Sequence, residues 1–350
     1  MIRAKIIGAT GYGGLGIIEL LLQHPEAEIV CLAAQASVGR PISDVYPHLD
    51  GHCDLQVIDA DGADAAADVV FMATPDRVGM ARAPQEIAAG AKVIDYSGDF
   101  RFGSVDVYAE YARRIGLETV HIAPELLEGS VYGLAELHRN EIGTATSVVG
   151  NPGCFAVGCI LGLAPAAKHG MAALDSWICD CKTGVSGAGK NPKAAFHYPA
   201  RHENMNAYRL SGHQHVCEIE RELGLQAGAE VRVTFTAQVV PTCRGIMSTL
   251  YGDLDSGVTR DKLLDAYRDF YHDEPFVRVY DRDATVGTAD VSGSNRCSLV
   301  VDLDERTGKL RVVSYIDNLM KGQAGSALQN MNLLFGLDET VGLDRPAHYP

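Results

Sequence analysis

The feature that most limits what this 350-residue chain can become is a glycine turn set between an apolar strand and an apolar helix near its start. Ala4-Lys-Ile-Ile7 reads as a short buried strand, Gly8-Ala-Thr-Gly11-Tyr-Gly-Gly14 follows, and Leu15 to Leu22 is a helical run ending near His24-Pro25. Glycine lets the backbone turn tightly and approach a pyrophosphate, whose charge then meets the free N–H groups and positive dipole end of the helix. Gly8, Thr10, Gly11, Tyr12, Gly13 and Gly14 are therefore the expected cofactor-binding residues. The competing reading is a glycine-rich turn that binds nothing.

Further strands follow at Glu28–Ala33, Asp68–Ala73 and Ala91–Asp95, with Ala/Glu-rich helical stretches such as Gly79–Ala89 between them, and Ser147–Gly150 closes the series. Strands alternating with helices imply a parallel, doubly wound sheet of the Rossmann type. Beyond Asn151-Pro-Gly-Cys154 the pattern is strand-rich, at 176–181, 230–239, 245–251, 276–280, 296–303 and 309–316, interrupted by helices at about 154–168, 213–223 and 259–271. This predicts an α+β second domain with a mixed or antiparallel sheet. The expected class is α/β, with a dinucleotide-binding Rossmann domain over 1–150, an α+β catalytic and dimerisation domain over 151–320, and a tail over 321–350 whose helix packs back on the first domain.

Composition narrows the partners. Thirty Lys+Arg against 45 Asp+Glu give a formal charge of −15, with no basic cluster, which argues against nucleic acid. The longest apolar stretches, such as Ala156–Ala167, carry Gly and Pro and fall short of the roughly 18 to 20 residues of a membrane span. The first seven residues run straight into the turn without the pattern of a secretory leader. Nine cysteines without paired spacing fit a reduced compartment, so a cytoplasmic protein is expected.

The second strand ends Cys31-Leu-Ala-Ala-Gln35-Ala-Ser37-Val-Gly-Arg40, without the acid that would bind a ribose 2′-hydroxyl. Ser37 and Arg40 instead suit a 2′-phosphate, which favours NADP(H) over NAD; the alternative for Arg40 is a solvated loop residue. Among the cysteines, Cys154 stands at the first turn of an apolar helix, where the dipole and unpaired N–H groups favour a thiolate and a developing oxyanion. That makes it either a nucleophile for an acyl group or a buried helix-start cysteine. The densest titratable cluster is Ser211-Gly-His213-Gln-His215-Val-Cys-Glu218. On a helix, His215 and Glu218 share a face three residues apart, so the carboxylate can fix the imidazole tautomer, while His213 points elsewhere. A metal held by His213, His215 and Cys217 is disfavoured, because i, i+2, i+4 ligands converge poorly on a helix; no metal is expected. Thr183-Gly-Val-Ser186-Gly187-Ala-Gly189-Lys190 is a glycine-rich loop able to cradle a phosphate or nicotinamide edge, or else a surface turn; it lacks the spacing of a P-loop.

Seven segments taken in order, Gly8–Tyr12, Val93–Arg101, Tyr132–Leu137, Gly150–Cys154, Ser186–Gly189, Gly212–Glu218 and Asp317–Gly325, resemble the N-acetyl-γ-glutamyl-phosphate reductase family of arginine biosynthesis. Val157 stands where that family often has Thr, and Gly13 where Thr is usual. The resemblance implies NADPH-dependent reductive dephosphorylation of an acyl phosphate to a semialdehyde, with Cys154 as nucleophile, His215 as acid/base, Asn318 as a cofactor contact and a homotetramer or homodimer. Ser186 and Gly187 join the expected coenzyme contacts. In that mechanism the thiolate expels phosphate, the thioester accepts hydride, and the thiohemiacetal collapses as His215 donates a proton. Arg101 and Arg244 are the candidates for the substrate carboxylate and phosphate, with Asn151 and His213 also expected at the substrate.

Three other readings compete: a reductase of carrier-bound aminoadipyl phosphate in lysine biosynthesis, an aspartate-semialdehyde dehydrogenase, and a nicotinamide-binding sensor without chemistry. An acidic carrier calls for a basic rim, of which a chain at −15 gives little sign. His213-Gln-His215 and Asp317-Asn318 argue against the second, and Cys154, His215 and Glu218 occurring together argue against the third.

Overall fold

The computed structural model describes residues 1–63 and 65–349. They form two units, one made of Met1–Arg113, Leu117–Pro152 and Gln323–Arg345, the other centred on Gly153–Gly322.

The first unit holds seven strands, β1 (Ile2–Ile7), β2 (Ala27–Ala34), β3 (Val57–Asp59), β4 (Val69–Met72), β5 (Lys92–Asp95), β6 (Val131–Tyr132) and β7 (Val148–Gly150). Their order is β3-β2-β1-β4-β5-β7-β6 and every pairing is parallel. Parallel sheets are covered on both faces, and the near-continuous apolar runs agree: Val69 to Met72 are each fully buried. The chain winds outward from β1 in one direction and from β4 in the other, so the glycine turn after β1 lies at the topological switch point. The helix Gly325–Leu334 belongs to this unit, where its Asn330 Nδ2 donates to the Gly133 carbonyl at 2.9 Å.

The second unit contains β8 (Trp177–Thr183), β9 (Asn206–Tyr208), β10 (Val233–Val239), β11 (Ile246–Asp253), β12 (Val277–Asp281), β13 (Cys297–Asp304) and β14 (Lys309–Ile316), in the order β12-β13-β14-β11-β8-β10-β9. β8–β10 and β12–β13 pair in parallel and the other neighbours antiparallel, so the sheet is mixed, as the sequence predicts. One face carries the helix Cys154–Lys168, which comes close because Gly158 and Gly162 face the sheet: a Cβ on Gly158 would stand 2.9 Å from Ser314 Oγ, and one on Gly162 would run into Leu250. Tyr267 donates its hydroxyl to the Gly162 carbonyl at 2.7 Å and locks a further helix, Arg260–Phe270, onto the same layer.

Differences from the sequence reading are local. Three short strands, β3, β6 and β9, are absent from the sequence reading, and the helix expected over 213–223 begins at His215 and continues to Ala227.

Candidate active site

In the first unit the turn closes as its glycines require. Gly8 adopts φ 90°, its N–H donates to the Ala33 carbonyl at 2.8 Å, and a Cβ there would strike the Ala73 carbonyl. Gly11 N–H donates to Gly8 O at 3.0 Å, and Gly11 is the N-cap of the helix Tyr12–Leu21, where no side chain caps the first N–H groups. A cradle that a Cβ would fill, opening on bare helix amides, suits a pyrophosphate. Gly13 has its own neighbours: a Cβ would lie 3.0 Å from Gln323 Nε2 and 3.3 Å from the Tyr96 ring. Tyr46 donates its hydroxyl to the Thr10 carbonyl at 2.8 Å. Past β2, Ser37 takes φ 65°, and Arg40 is exposed, 3.6 Å from Asp44 four residues on.

Two residues expected at the substrate lie within this unit's framework. Arg101 is buried, with Nε donating to the Asn151 carbonyl at 2.8 Å and the guanidinium also donating to the Tyr96 carbonyl at 2.5 Å. The end of the Val93–Arg101 segment lies against Gly150 and Asn151, where β7 ends, which makes Arg101 a tie between the two. Asn151 Nδ2 donates to the Gln323 carbonyl at 3.0 Å.

The second unit gathers the reactive types. Gly153 is the N-cap and Cys154 the first residue of the helix Cys154–Lys168. Cys154 is half-exposed and Cys243 exposed, whereas the other seven thiols are buried. Burial pushes the Cys159 and Cys181 thiols well above their ordinary range. Glu218 Oε2 accepts the Gly153 N–H at 2.9 Å, and Glu218 Oε1 stands 3.9 Å from His215 Nε2, an ion-pair separation rather than a hydrogen bond. A Cβ on Gly153 would run into His215 Nε2 and come within 2.8 Å of Glu218 Oε1, which explains glycine at that place. Cysteine, imidazole and carboxylate thus converge around one peptide unit.

His213 precedes the helix rather than pointing away from it. Its Nδ1 accepts the His215 backbone N–H at 3.3 Å, and its ring meets those of His215 (4.9 Å between centroids), Phe155 (5.5 Å) and Tyr208 (5.6 Å). Burial first, then the charges of His215 and Arg209, push it down to about 2, so this imidazole is neutral at working pH.

Arg244 and Asp317 form an ion pair at 2.9 Å, with Arg244 Nε also donating at 3.3 Å and Asp317 fully buried. The same carboxylate accepts N–H bonds from Gly293, Leu319 and Met320. A Cβ on Gly322, which ends this segment, would lie 2.8 Å from Cys154 Cβ, so one turn buttresses both the cysteine and the arginine. Asn318 ties two loops: Oδ1 accepts the Gly245 N–H at 2.8 Å and Nδ2 donates to Ser186 Oγ at 3.0 Å. Gly187 follows Ser186 in the same short 3₁₀ turn. The sequence reading assigns no role to Asp317 and Gly322, since Arg244 and Cys154 lie far off along the chain, nor to Tyr208, which sits in a strand of three residues too short to show a period.

These two units define a class, the semialdehyde dehydrogenases. Residues 3–145 match the family model described as semialdehyde dehydrogenase, NAD binding domain, and residues 154–318 the one described as semialdehyde dehydrogenase, dimerisation domain. N-acetyl-gamma-glutamyl-phosphate reductase of Symbiobacterium thermophilum is 45% identical over 344 residues, 98% of this chain and 97% of the relative, and that of Citrifermentans bemidjiense is 42% identical over the full length of both. The chain belongs to the N-acetyl-gamma-glutamyl-phosphate reductase family. The fold is shared with aspartate semialdehyde dehydrogenase II of Vibrio cholerae, solved with ASA (TM-score 0.72, 16% identity, 95% of this chain and 98% of that one), and with the Candida albicans aspartate semialdehyde dehydrogenase solved with NADP (TM-score 0.66, 17% identity, the same coverage).

Proposed function

We propose that this chain reduces N-acetyl-γ-glutamyl phosphate to N-acetylglutamate semialdehyde and phosphate with NADPH, by way of a thioester on Cys154. The observation that carries this reading is identity of 42 to 45% with reductases of that name over essentially the whole chain. The aspartate enzymes share the fold at only 16 to 17% identity, and the −15 charge gives no support to an acidic carrier as substrate.

Cys154 passes its thiol proton to His215 and attacks the acyl carbon, breaking the bond to phosphate, which leaves with a proton from solvent. When bound, the coenzyme supplies a hydride to the thioester carbon; the residues that would hold it are the turn Gly8–Gly14, Ser37 and Arg40, with Ser186, Gly187 and Asn318 as the further contacts. The resulting thiohemiacetal anion collapses, its oxygen re-forming the carbonyl of the aldehyde as the C–S bond breaks, and His215 returns its proton to sulfur. Glu218 keeps the Gly153 amide and His215 in place, and Arg244, oriented by Asp317, takes the anionic end of the substrate. The match of residues 154–318 to a semialdehyde dehydrogenase dimerisation domain supports self-association to a homodimer or homotetramer, and nine cysteines without paired spacing fit a cytoplasmic setting.

The test is phosphate-dependent NADP reduction with N-acetylglutamate, aspartate and aminoadipate semialdehydes side by side. N-acetylglutamate semialdehyde is the expected substrate. Cys154→Ala abolishes turnover while coenzyme affinity stays, and iodoacetamide labels Cys154 ahead of Cys159 and Cys181. A preference for another semialdehyde overturns the substrate, and residual turnover of a few per cent in Cys154→Ala overturns the thioester.

A further inference from the structure

Arg201 is a cation enclosed by the second unit at 8% exposure, and none of its hydrogen bonds goes to a carboxylate. Its guanidinium donates to the Asn204 carbonyl at 3.1 Å, the Val239 carbonyl at 3.2 Å, the Ala195 carbonyl at 3.4 Å and Asn206 Oδ1 at 2.6 Å. Placing a charge among neutral acceptors is costly, so the bonds must be organising something. Two of them meet at one rung of the sheet: Asn206 opens β9, Val239 closes β10, and the two are register partners. β9 is a three-residue edge strand, and a slip of one residue would turn each of its side chains to the opposite face.

Two residues on from Asn206, in the same strand, Tyr208 sets its ring against His213, which in turn packs on His215. Burial, and then the charge of Cys154, hold the Tyr208 hydroxyl above its usual range. We propose that Arg201 is a positioning residue that pins the β9–β10 register and thereby holds Tyr208 and His213 against the Cys154–His215 pair. The idea rests on the proposed chemistry only for the identity of the nucleophile.

The experiment follows the pH dependence of Cys154 alkylation by iodoacetamide, mapped by peptide mass, in the full chain. This readout needs no substrate, so failure of the wild type to reduce N-acetylglutamyl phosphate would sink the assigned reaction and leave Arg201 untouched. Arg201→Met shifts the alkylation profile along the pH axis and lowers kcat about ten- to a hundredfold, the scale on which misplacement of a reacting group by about an ångström is felt. Coenzyme KM stays within about twofold, because none of Arg201's hydrogen-bond partners is a proposed coenzyme contact. Asn206→Ala, which removes one acceptor from an exposed side chain, gives the same shift at smaller amplitude and serves if Arg201→Met does not fold. Arg201→Lys recovers only part, since an ammonium cannot reproduce the planar fork. A wild-type alkylation profile in folded Arg201→Met, or in Asn206→Ala should the first not fold, overturns the proposal.

Discussion

His213 and His215 differ in what surrounds their rings, and that decides which of them can carry a proton. His213 accepts the His215 N–H through Nδ1 and is packed among Phe155, Tyr208 and Phe235, so protonation would both break a helix-start hydrogen bond and bury a charge. The unfolded chain binds that proton near pH 6.5, whereas the fold refuses it until about pH 2. Between those values the unfolded state holds more protons, so His213 makes stability fall as pH drops below about 6.5. His213→Asn, whose side-chain oxygen can accept the same N–H, should reduce the loss of urea midpoint between pH 7 and pH 5 and leave the pH–rate limb in place. His215→Asn should remove that limb and cut the rate by about 10² to 10⁴. An unaltered acid slope in the first variant, or a surviving limb in the second, would reverse the assignment.

At the scale of elements, the start of the Cys154–Lys168 helix is shaped by what presses on Gly153. Its φ of −75° and ψ of 142° suit any residue, so the requirement for glycine there is space, not backbone freedom. Gly153→Ala should drive a methyl into His215 and Glu218, cost about 1 to 3 kcal/mol as overpacking, and lower kcat about tenfold or more with coenzyme affinity intact. Thermal unfolding and steady-state kinetics check both, and wild-type kcat would show that the pair has no fixed relation to the cysteine. The long strands and helices are legible in sequence because each carries enough apolar residues for a period to emerge. β3, β6 and β9 have two or three residues each and exist only through neighbours that supply their register. The site divides in the same way. Cys154, His215 and Glu218 announce themselves by residue type and local spacing, while Asp317 and Gly322 owe their place to Arg244 and Cys154, far along the chain, and Arg201 to a turn and a short strand that carry no period of their own.

For the whole molecule, the unfinished surface is one face of the second sheet. Ser248, Leu250, Val312 and Ser314 lie under the Cys154–Lys168 helix, and residues of the opposite parity point the other way. Those include Tyr251 beside Ile178, Met247 beside Tyr315, and Val300 beside Val313, all register partners and all at least partly exposed. These apolar cross-strand pairs are interleaved with polar residues: Thr249 and its partner Asp180 lie between Tyr251–Ile178 and Met247, and Arg311 is the register partner of both Tyr251 and Asp302. A face of this kind is what sheet-on-sheet association buries, about 800 Å² from each partner in a standard interface. A charge at its middle would have to be desolvated on association and would replace apolar contact with a second copy. Val313→Glu is therefore expected to give a species of 37.5 kDa in sedimentation velocity, against twice that mass or a higher multiple for the wild type. Helical content by circular dichroism should be unchanged, because the substituted side chain is on the side away from the helices. A wild type that sediments as a monomer, or a variant that keeps the wild-type mass, would mean that this face meets something other than a second copy of the chain.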